Sequence, residues 1–405
     1  MFKKLALGFL AVTTLCSPTS ADVGDKLRVQ KVVEYLTTSA ISGPTEARLM
    51  QVASGIAENK QNTNRNTNLY ELLEAAHDSG ATQQKVIEAM LGSLDDTWVK
   101  LYTPDEYLAT RARFSGASQH SIGVRMIQSQ APEGLRVISL LPGGPAQGLI
   151  SPGELIVAVD GINDFQAMNE KLSEKSDKPL AIDVVDSSNR RRTVQITPCD
   201  FRSKTAYITD SQQGVIRVDR FGPNTPEELS QALDTLGPGP VILDLRFNGG
   251  GYVDSAVECV DLFLEENATV VTTVSSKARK VRKTKDRQST TRPVCIIVNK
   301  YTASAAEIFS AALDYHSGAF LVGEKTYGKG SVQRFVSLPG NWAMKFTIGL
   351  YQTSAGRYID KVGLEPDSKV DMEPWMVSSS QDSQMAEAVS WARVVRSSSA
   401  SAFSR

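Results

Sequence analysis

Ser304 stands between alanines in "KYTASAAEIF" (300–309), with Glu307 three positions further on. A serine hydroxyl attacks a carbonyl carbon when a neighbouring base takes its proton. The same Ser-x-x-Glu spacing is also a capping box, worth on the order of 1 kcal/mol at a helix start. Three histidines are present, His77, His120 and His316, and none lies in a glycine-framed strand-end loop. His316 is too far along the helix that begins near Ser304 to fold back onto it. Lys329 in "TYGKGSVQ" is the other base, because flanking glycines let the backbone pack closely around its amine. A desolvated lysine loses its charge and can act as a base at neutral pH. Ser–Lys pairs are a variant of triad logic. Two groups suit a developing oxyanion: the amide of Ala305, outward at a helix start, and an amide from "NGGG" (248–251). Each piece also has a plain structural reading: a cap, a turn lysine, a tight glycine turn.

These groups need a frame that brings them together. Residues 201–372 alternate strand and helix: "GVIRVDRF", "TPEELSQALDTL", "PVILDLRF", "YVDSAVECVDLFLEE", "RPVCIIVN", the helix near Ser304, "AFLVGE" and "AMKFTIGLYQT". That order implies a largely parallel sheet with helices packed on it. "NGGG", "KYTAS" and "TYGKGSVQ" each follow a strand, and reactive groups gather at the carboxyl ends of such strands. Thr225, Pro226 and Glu228 read as a capping box with proline in the first turn. Residues 106–200 hold short β-rich runs, with "GGPAQGL" and "FQAMNEKLSE" as two short helical pieces. Residues 22–105 read as helical, ending in "LYTPDEY", a turn before a proline. Residues 373–405 hold one short amphipathic helix between serine-rich ends. Residues 1–21 have two lysines, an apolar run of eleven and "TSA", the layout of a secretory signal peptide cut before Asp22. That run is too short to span a bilayer. The expected location is therefore beyond the inner membrane, periplasmic or extracellular. A formal net charge of −1 gives no basic field for nucleic acid, and the four scattered cysteines have no zinc spacing. No metal and no cofactor is expected. Cys259 and Cys295 lie in apolar segments and read as buried thiols.

"DLRFNGGGYVDSAVECVDLFL", "VNKYTASAAEIFSAALD", "VGEKTYGKGSVQ" and "YIDKVGLEPD" together resemble the motif series of the carboxyl-terminal processing peptidases, or tail-specific proteases. "AMLGSLDDTWVKLYTPDEY" is similar to their segment ahead of a PDZ module, and the resemblance runs from about residue 85 to 372. It implies an α/β catalytic core related to the crotonase/ClpP-like superfamily, an inserted β-rich PDZ domain at 106–200 and a helical N-terminal segment. Ser304 and Lys329 are twenty-five positions apart, and Gln333 follows four later. In the family these positions are nucleophile, general base and the group that orients the lysine. Gly250 and Ala305 fall at the oxyanion hole. Tyr301, Thr302 and Ala306 depart from the family's small-residue pattern around the nucleophile, which bears on substrate fit.

"HSIGVRM" is similar to the loop with which PDZ domains receive a peptide carboxylate, through the amides of Ile122, Gly123 and Val124. Arg125, next to it, reads as an exposed strand arginine. The implied activity is a secreted serine endopeptidase that cuts proteins near free C-termini. The partners are protein or peptide chains, with room for an adaptor protein and a homo-oligomer. Two competing readings exist. A peptide- or ligand-binding relative without catalysis conflicts with an intact Ser304, Lys329 and Gln333. A crotonase-like acyl-thioester enzyme needs neither that pair nor residues 106–200. The basic run "KARKVRKTKDR" (277–287) reads as a solvated hairpin.

Overall fold

A computed structural model describes residues 20–41, 43–57, 83–114, 119–130, 132–285 and 287–402. The expected leader lies outside these residues except for its last two, and so does His77. The chain forms two compact units: residues 1–107 with 333–348, and residues 108–332 with 349–405.

In the first unit, the helices Ser20–Ser39, Glu46–Ala57 and Gln83–Gly92 bury Val32, Leu36, Leu49, Ile87 and Met90. Leu338, Met344 and Phe346 complete this core, although the sequence placed residues 333–348 with the α/β domain. Lys100–Tyr102 pairs antiparallel with residues 343–345. "YTPDEY" is not a turn that ends a segment. It opens a helix, Pro104–Phe114. Thr103 N–H donates to Glu106 Oε2 at 3.0 Å and Glu106 N–H to Thr103 Oγ1 at 3.3 Å, a reciprocal capping box. Pro104 suits the first helical position, where no N–H is needed.

The second unit begins with a β module. Its strands Val124–Gln130, Glu133–Leu140, Leu155–Val159, Leu180–Val185 and Arg191–Ile196 form an antiparallel sheet in chain order. Ile122, Val137, Ile156, Val159, Met168 and Ile182 fill its core. "FQAMNEKLSE" is helical as expected, Phe165–Ser173, with Asp164 as its cap. "GGPAQGL" is a run of turns instead. Its bonds are three apart, such as Gln147 N–H to Gly144 O, and Gly143 and Gly148 take φ of +78° and +79°, off the helical path.

The rest of the unit is the α/β core. Its sheet runs in the order Ser368–Lys369, Phe320–Gly323, Val294–Val298, Val241–Asp244, Val215–Val218, Ala206–Asp210. All pairs are parallel except the last. Strands such as Val294–Val298 are buried throughout because both sheet faces are covered. Helices Thr225–Thr235, Val253–Val260 and Ala305–Ser317 contribute to the core on one side. On the other, Ala388 and Ala392 of the helix Ser383–Ala402 pack on Val215, Ile242, Cys295 and Val322. That last helix runs on through the serines expected to fall outside it, and the Ser397 and Ser398 hydroxyls donate back to Val394 O. The capping box at Thr225 does not form. Glu228 Oε2 instead accepts the Thr205 N–H and hydroxyl, both at 2.6 Å, because a tertiary partner competes for it.

Charge is buried where the strands end. Arg217 Nη1 donates to Asp244 at 3.0 Å and Arg217 Nε to Asp219 at 3.0 Å. Arg246, with no exposed surface, binds Asp244 through Nε and Nη2 and Asp382 through Nη1 at 2.7 Å. Burial alone would raise the Asp244 carboxyl, but Arg217 and Arg246 outweigh it and hold it well below the carboxylate range. Asp219 is lowered in the same way, with Arg125 and Arg217 overcoming its burial. Such depressed carboxylates contribute stability that is complete above their unfolded value of about 3.9 and is lost as pH falls through the folded one. Asp244→Ala strands two buried guanidinium groups and should cost about 3–5 kcal/mol in urea unfolding at pH 7. The difference from wild type should shrink as the pH falls below about 4. A pH-independent difference would contradict this account.

Candidate active site

Three strand ends meet at Thr302. Its hydroxyl donates to Leu245 O at 2.9 Å, just past Val241–Asp244, and accepts from Asn299 N–H at 2.9 Å, just past Val294–Val298. Its carbonyl accepts the Tyr327 N–H at 3.0 Å, from the loop after Phe320–Gly323. Thr302, one of the departures around the nucleophile, thus ties together the loops that carry "NGGG", Ser304 and Lys329.

Ser304 is the cap of the helix Ala305–Ser317, with φ +59° and ψ −119°. A non-glycine residue is rarely held there, and such strain concentrates at functional sites. The Ser304 N–H donates to Glu307 Oε2 at 2.8 Å, so the Ser-x-x-Glu pattern does place the carboxylate on the cap's backbone. The same oxygen accepts the Lys329 N–H at 2.9 Å. The two backbone nitrogens are therefore no farther apart than two hydrogen bonds. Glu307 Oε1 takes the Gly328 N–H at 2.7 Å and the Thr326 hydroxyl at 2.5 Å. Glu307 has no exposed surface. Its burial raises the carboxyl above its ordinary value, against the four donors, which favour the charged form. The sequence presented Glu307 as a cap alone. Its second role, holding the lysine loop, had no sequence signal because its partners lie nineteen to twenty-two residues away.

The glycines around Lys329 are packed, as "GKG" suggested. Gly328 has φ +83°, and a side chain at Gly330 would meet the Asp360 nitrogen at 2.1 Å. Asp360 Oδ1 accepts the Gly330 N–H, and Lys361 N–H donates to Gly328 O. The lysine loop is thus held between Glu307 and the "YIDKVG" segment. Gln333 lies four residues on, in the strand Ser331–Leu338, where the chain enters the first unit.

Of the two oxyanion candidates, Ala305 is the first residue of its helix and fully buried. Gly250 abuts the nucleophile: a Cβ there would lie 2.8 Å from Ser304 Cβ and 2.9 Å from the Ala305 nitrogen. Its N–H, however, donates to Asn248 Oδ1 at 2.9 Å, so that amide is already engaged. Asn248 Nδ2 in turn donates to Val218 O. Tyr301 and Phe247 stack with centroids 5.1 Å apart, and Asn299 Oδ1 accepts both their N–H groups.

In the β module, Ile122 is buried and Gly123 has φ +78°. The Gly123 N–H donates to Ser121 Oγ at 2.8 Å. Val124 lines a cleft of about 230 Å3 together with Arg202, Lys204 and Arg220. Arg125 is not a free strand arginine, since it bonds Asp219 of the α/β core. His120 binds Asp200 and Ser176 O, and His316 binds Thr269 O. No cluster of metal-ligating side chains occurs among the described residues. Cys199, Cys259 and Cys295 are free, the last two buried.

The model of peptidase family S41 matches residues 212–370. A carboxyl-terminal-processing protease of Picosynechococcus is 30% identical over 310 residues, covering 72% of this chain and 75% of that protein. The chloroplastic carboxyl-terminal-processing peptidase 2 of Arabidopsis thaliana is 32% identical over 304 residues, covering 69% of this chain and 59% of the relative. Among solved structures, the photosystem II D1 C-terminal processing protease shares the fold with a TM-score of 0.58 at 23% identity, covering 92% of this chain and 97% of that one. With strand-end loops gathered on Glu307 and this level of identity along most of its length, the chain belongs to the carboxyl-terminal processing peptidases of family S41 and is a serine-type peptidase.

Proposed function

We propose that the protein is an endopeptidase in which Ser304 is the nucleophile and Lys329 the general base. The observation that carries this reading is the shared Glu307 oxygen, which holds the backbones of both residues beside each other. Neutral Lys329 Nζ takes the Ser304 proton as Oγ bonds to the scissile carbonyl carbon. The tetrahedral oxyanion collapses, the C–N bond breaks, and the lysine ammonium protonates the leaving amine. Water, deprotonated by the same lysine, then releases the acyl group as a carboxylic acid. Gln333 orients the lysine in this reading. Ala305 supplies one oxyanion donor. Gly250 supplies the second once its N–H leaves Asn248 Oδ1.

The β module is read as a PDZ domain whose Ile122–Val124 loop receives a substrate's chain end. The cations Arg202, Lys204 and Arg220 beside Val124 support an anionic ligand there. Its strand Val124–Gln130 ends the sheet order, an edge along which an extended peptide would pair.

Lys329→Ala should lower peptide turnover by at least about 100-fold and slow labelling of Ser304 by a fluorophosphonate, with circular dichroism unchanged. Turnover at the wild-type rate would sink the pair. Glu307→Gln keeps the shape but sets an amide NH2 against donors, whichever way it turns. It should lower kcat by about 100-fold through misplaced loops while KM changes little. An unaffected kcat would show that the clamp is dispensable. Amidating a substrate's C-terminus removes the charge that the loop reads and should raise KM without moving the cleaved bond, as mass spectrometry of the fragments would record. Equal KM for acid and amide would remove chain-end recognition from the proposal.

A further inference from the structure

A second cleft, of about 380 Å3, lies between the β module and the nucleophile loop. Ile127 and Gln128 of the module's edge strand form one wall, Lys300 and Tyr301 another, and Pro374 and Trp375 a third. Tyr301 is three residues ahead of Ser304. Arg136 also lines this cleft, although only 9% of it is exposed. Its Nη1 donates to Gly153 O at 2.9 Å, its guanidinium lies 5.5 Å from the centre of the Trp375 ring, and its Nε has no partner. No carboxylate forms an ion pair with it among the described residues. Glu373, the one acid lining the cleft, is exposed and makes no ion pair with Arg136.

A buried guanidinium without an anion is unusual, since buried charges are generally paired. Burial lowers the pKa of Arg136 with nothing opposing it. The other buried arginines of this unit, Arg217 and Arg246, each bind two carboxylates. Lys300 adds a second cation to the cleft, shared with Glu324 at 3.5 Å. Arg136 and Trp375 also border another cleft, lined by turns of the module and by Met376, Ser379 and Gln381, which does not reach the nucleophile loop. Its acids, Glu154 and Asp186, pair with Arg192 and Arg190 and not with Arg136.

We propose that the Arg136 cleft is a substrate subsite that receives an acidic side chain, Asp or Glu, of an extended polypeptide on its way to Ser304. A carboxylate there would supply the missing partner of Arg136, in a charge-assisted bond strengthened by the surroundings. The placement rests on the chain-end reading above. A peptide anchored at Gly123 and paired along Val124–Gln130 advances about 3.3 Å per residue. Counting the terminal residue at Gly123 as the first, its residue about five from the C-terminus lies beside Ile127, whose partner across the sheet is Arg136. The aromatic walls, Trp375 and Tyr301, would flank its stem.

The test is a set of free-acid peptides with one Glu scanned from about three to eight positions upstream of the end, all other acids being Gln. Binding to Ser304→Ala is measured by fluorescence anisotropy and cleavage by wild type by mass spectrometry. Glu should bind about tenfold tighter than Gln in one window near position five. In Arg136→Gln that ratio should fall towards one, whatever the absolute affinity, and Arg136→Lys should restore part of it. A flat scan in the Ser304→Ala background overturns the subsite while leaving endopeptidase activity standing. A window that persists in Arg136→Gln overturns the assignment to Arg136. Glu-selective binding with no cleavage by wild type upholds the subsite and sinks the endopeptidase reading alone. Should Arg136→Gln fail to fold, the wild-type scan and Arg136→Lys still decide.

Discussion

One buried carboxylate organises this site. Glu307 receives four donors from three places in the chain: its own helix start, Thr326 and the backbone of the lysine loop. Carboxylates have room for about four such bonds, so Glu307 is fully used. An unpaired buried acid would be costly, and one with every lone pair engaged is instead a rigid joint. Because two of its bonds go to the backbone N–H groups of Ser304 and Lys329, the joint fixes the two backbones beside each other.

The rest of the core makes that joint possible. Loops at strand ends wander unless something pins them. Here Thr302, Asn299 and Asn248 pin them with side chains that are each almost wholly buried. The strain at Ser304 and at Phe247, with φ +59° and +60°, persists because these bonds over-determine the loops. Beneath them, Arg217, Asp244, Arg246 and Asp382 form a row of buried charges. Such a row is weak evidence of net stability, since desolvation offsets most of the attraction. What it does is link distant segments of the chain. Asp382 anchors the start of the C-terminal helix to the same strand ends, and Asp219 carries the link outward to Arg125 of the β module.

That module therefore touches the core through charge at one place and through Arg136 and Trp375 at another. In the first contact each charge has its opposite. In the second a cation is buried against an aromatic face and left without an anion. The difference separates a contact that is complete in the protein alone from one that has capacity for a ligand.

Much of this was legible in the sequence. Strand–helix alternation, the unbroken apolar runs of a parallel sheet and the glycines around Lys329 follow from local rules of burial and backbone freedom. They offered Ser304, Lys329, Ala305 and an amide of "NGGG" as candidates, while the choice of Gly250 came with the family resemblance. Local reading failed at Glu228, where a distant partner competed, and at two stretches whose local signals, glycines with positive φ and a Thr103–Glu106 capping box, were read for the wrong element. Glu228 left its capping box for Thr205, "GGPAQGL" became turns, and Pro104 began a helix instead of ending a segment. The sequence by itself determined which chemical groups exist and which strand ends carry them, because those depend on neighbours within a few residues. Only the tertiary structure decided that Glu307 serves both loops, that the Gly250 amide faces Asn248, and that Arg136 is buried without a carboxylate. Each of these depends on which groups meet after the chain has closed over long separations, and no spacing within a segment encodes that meeting.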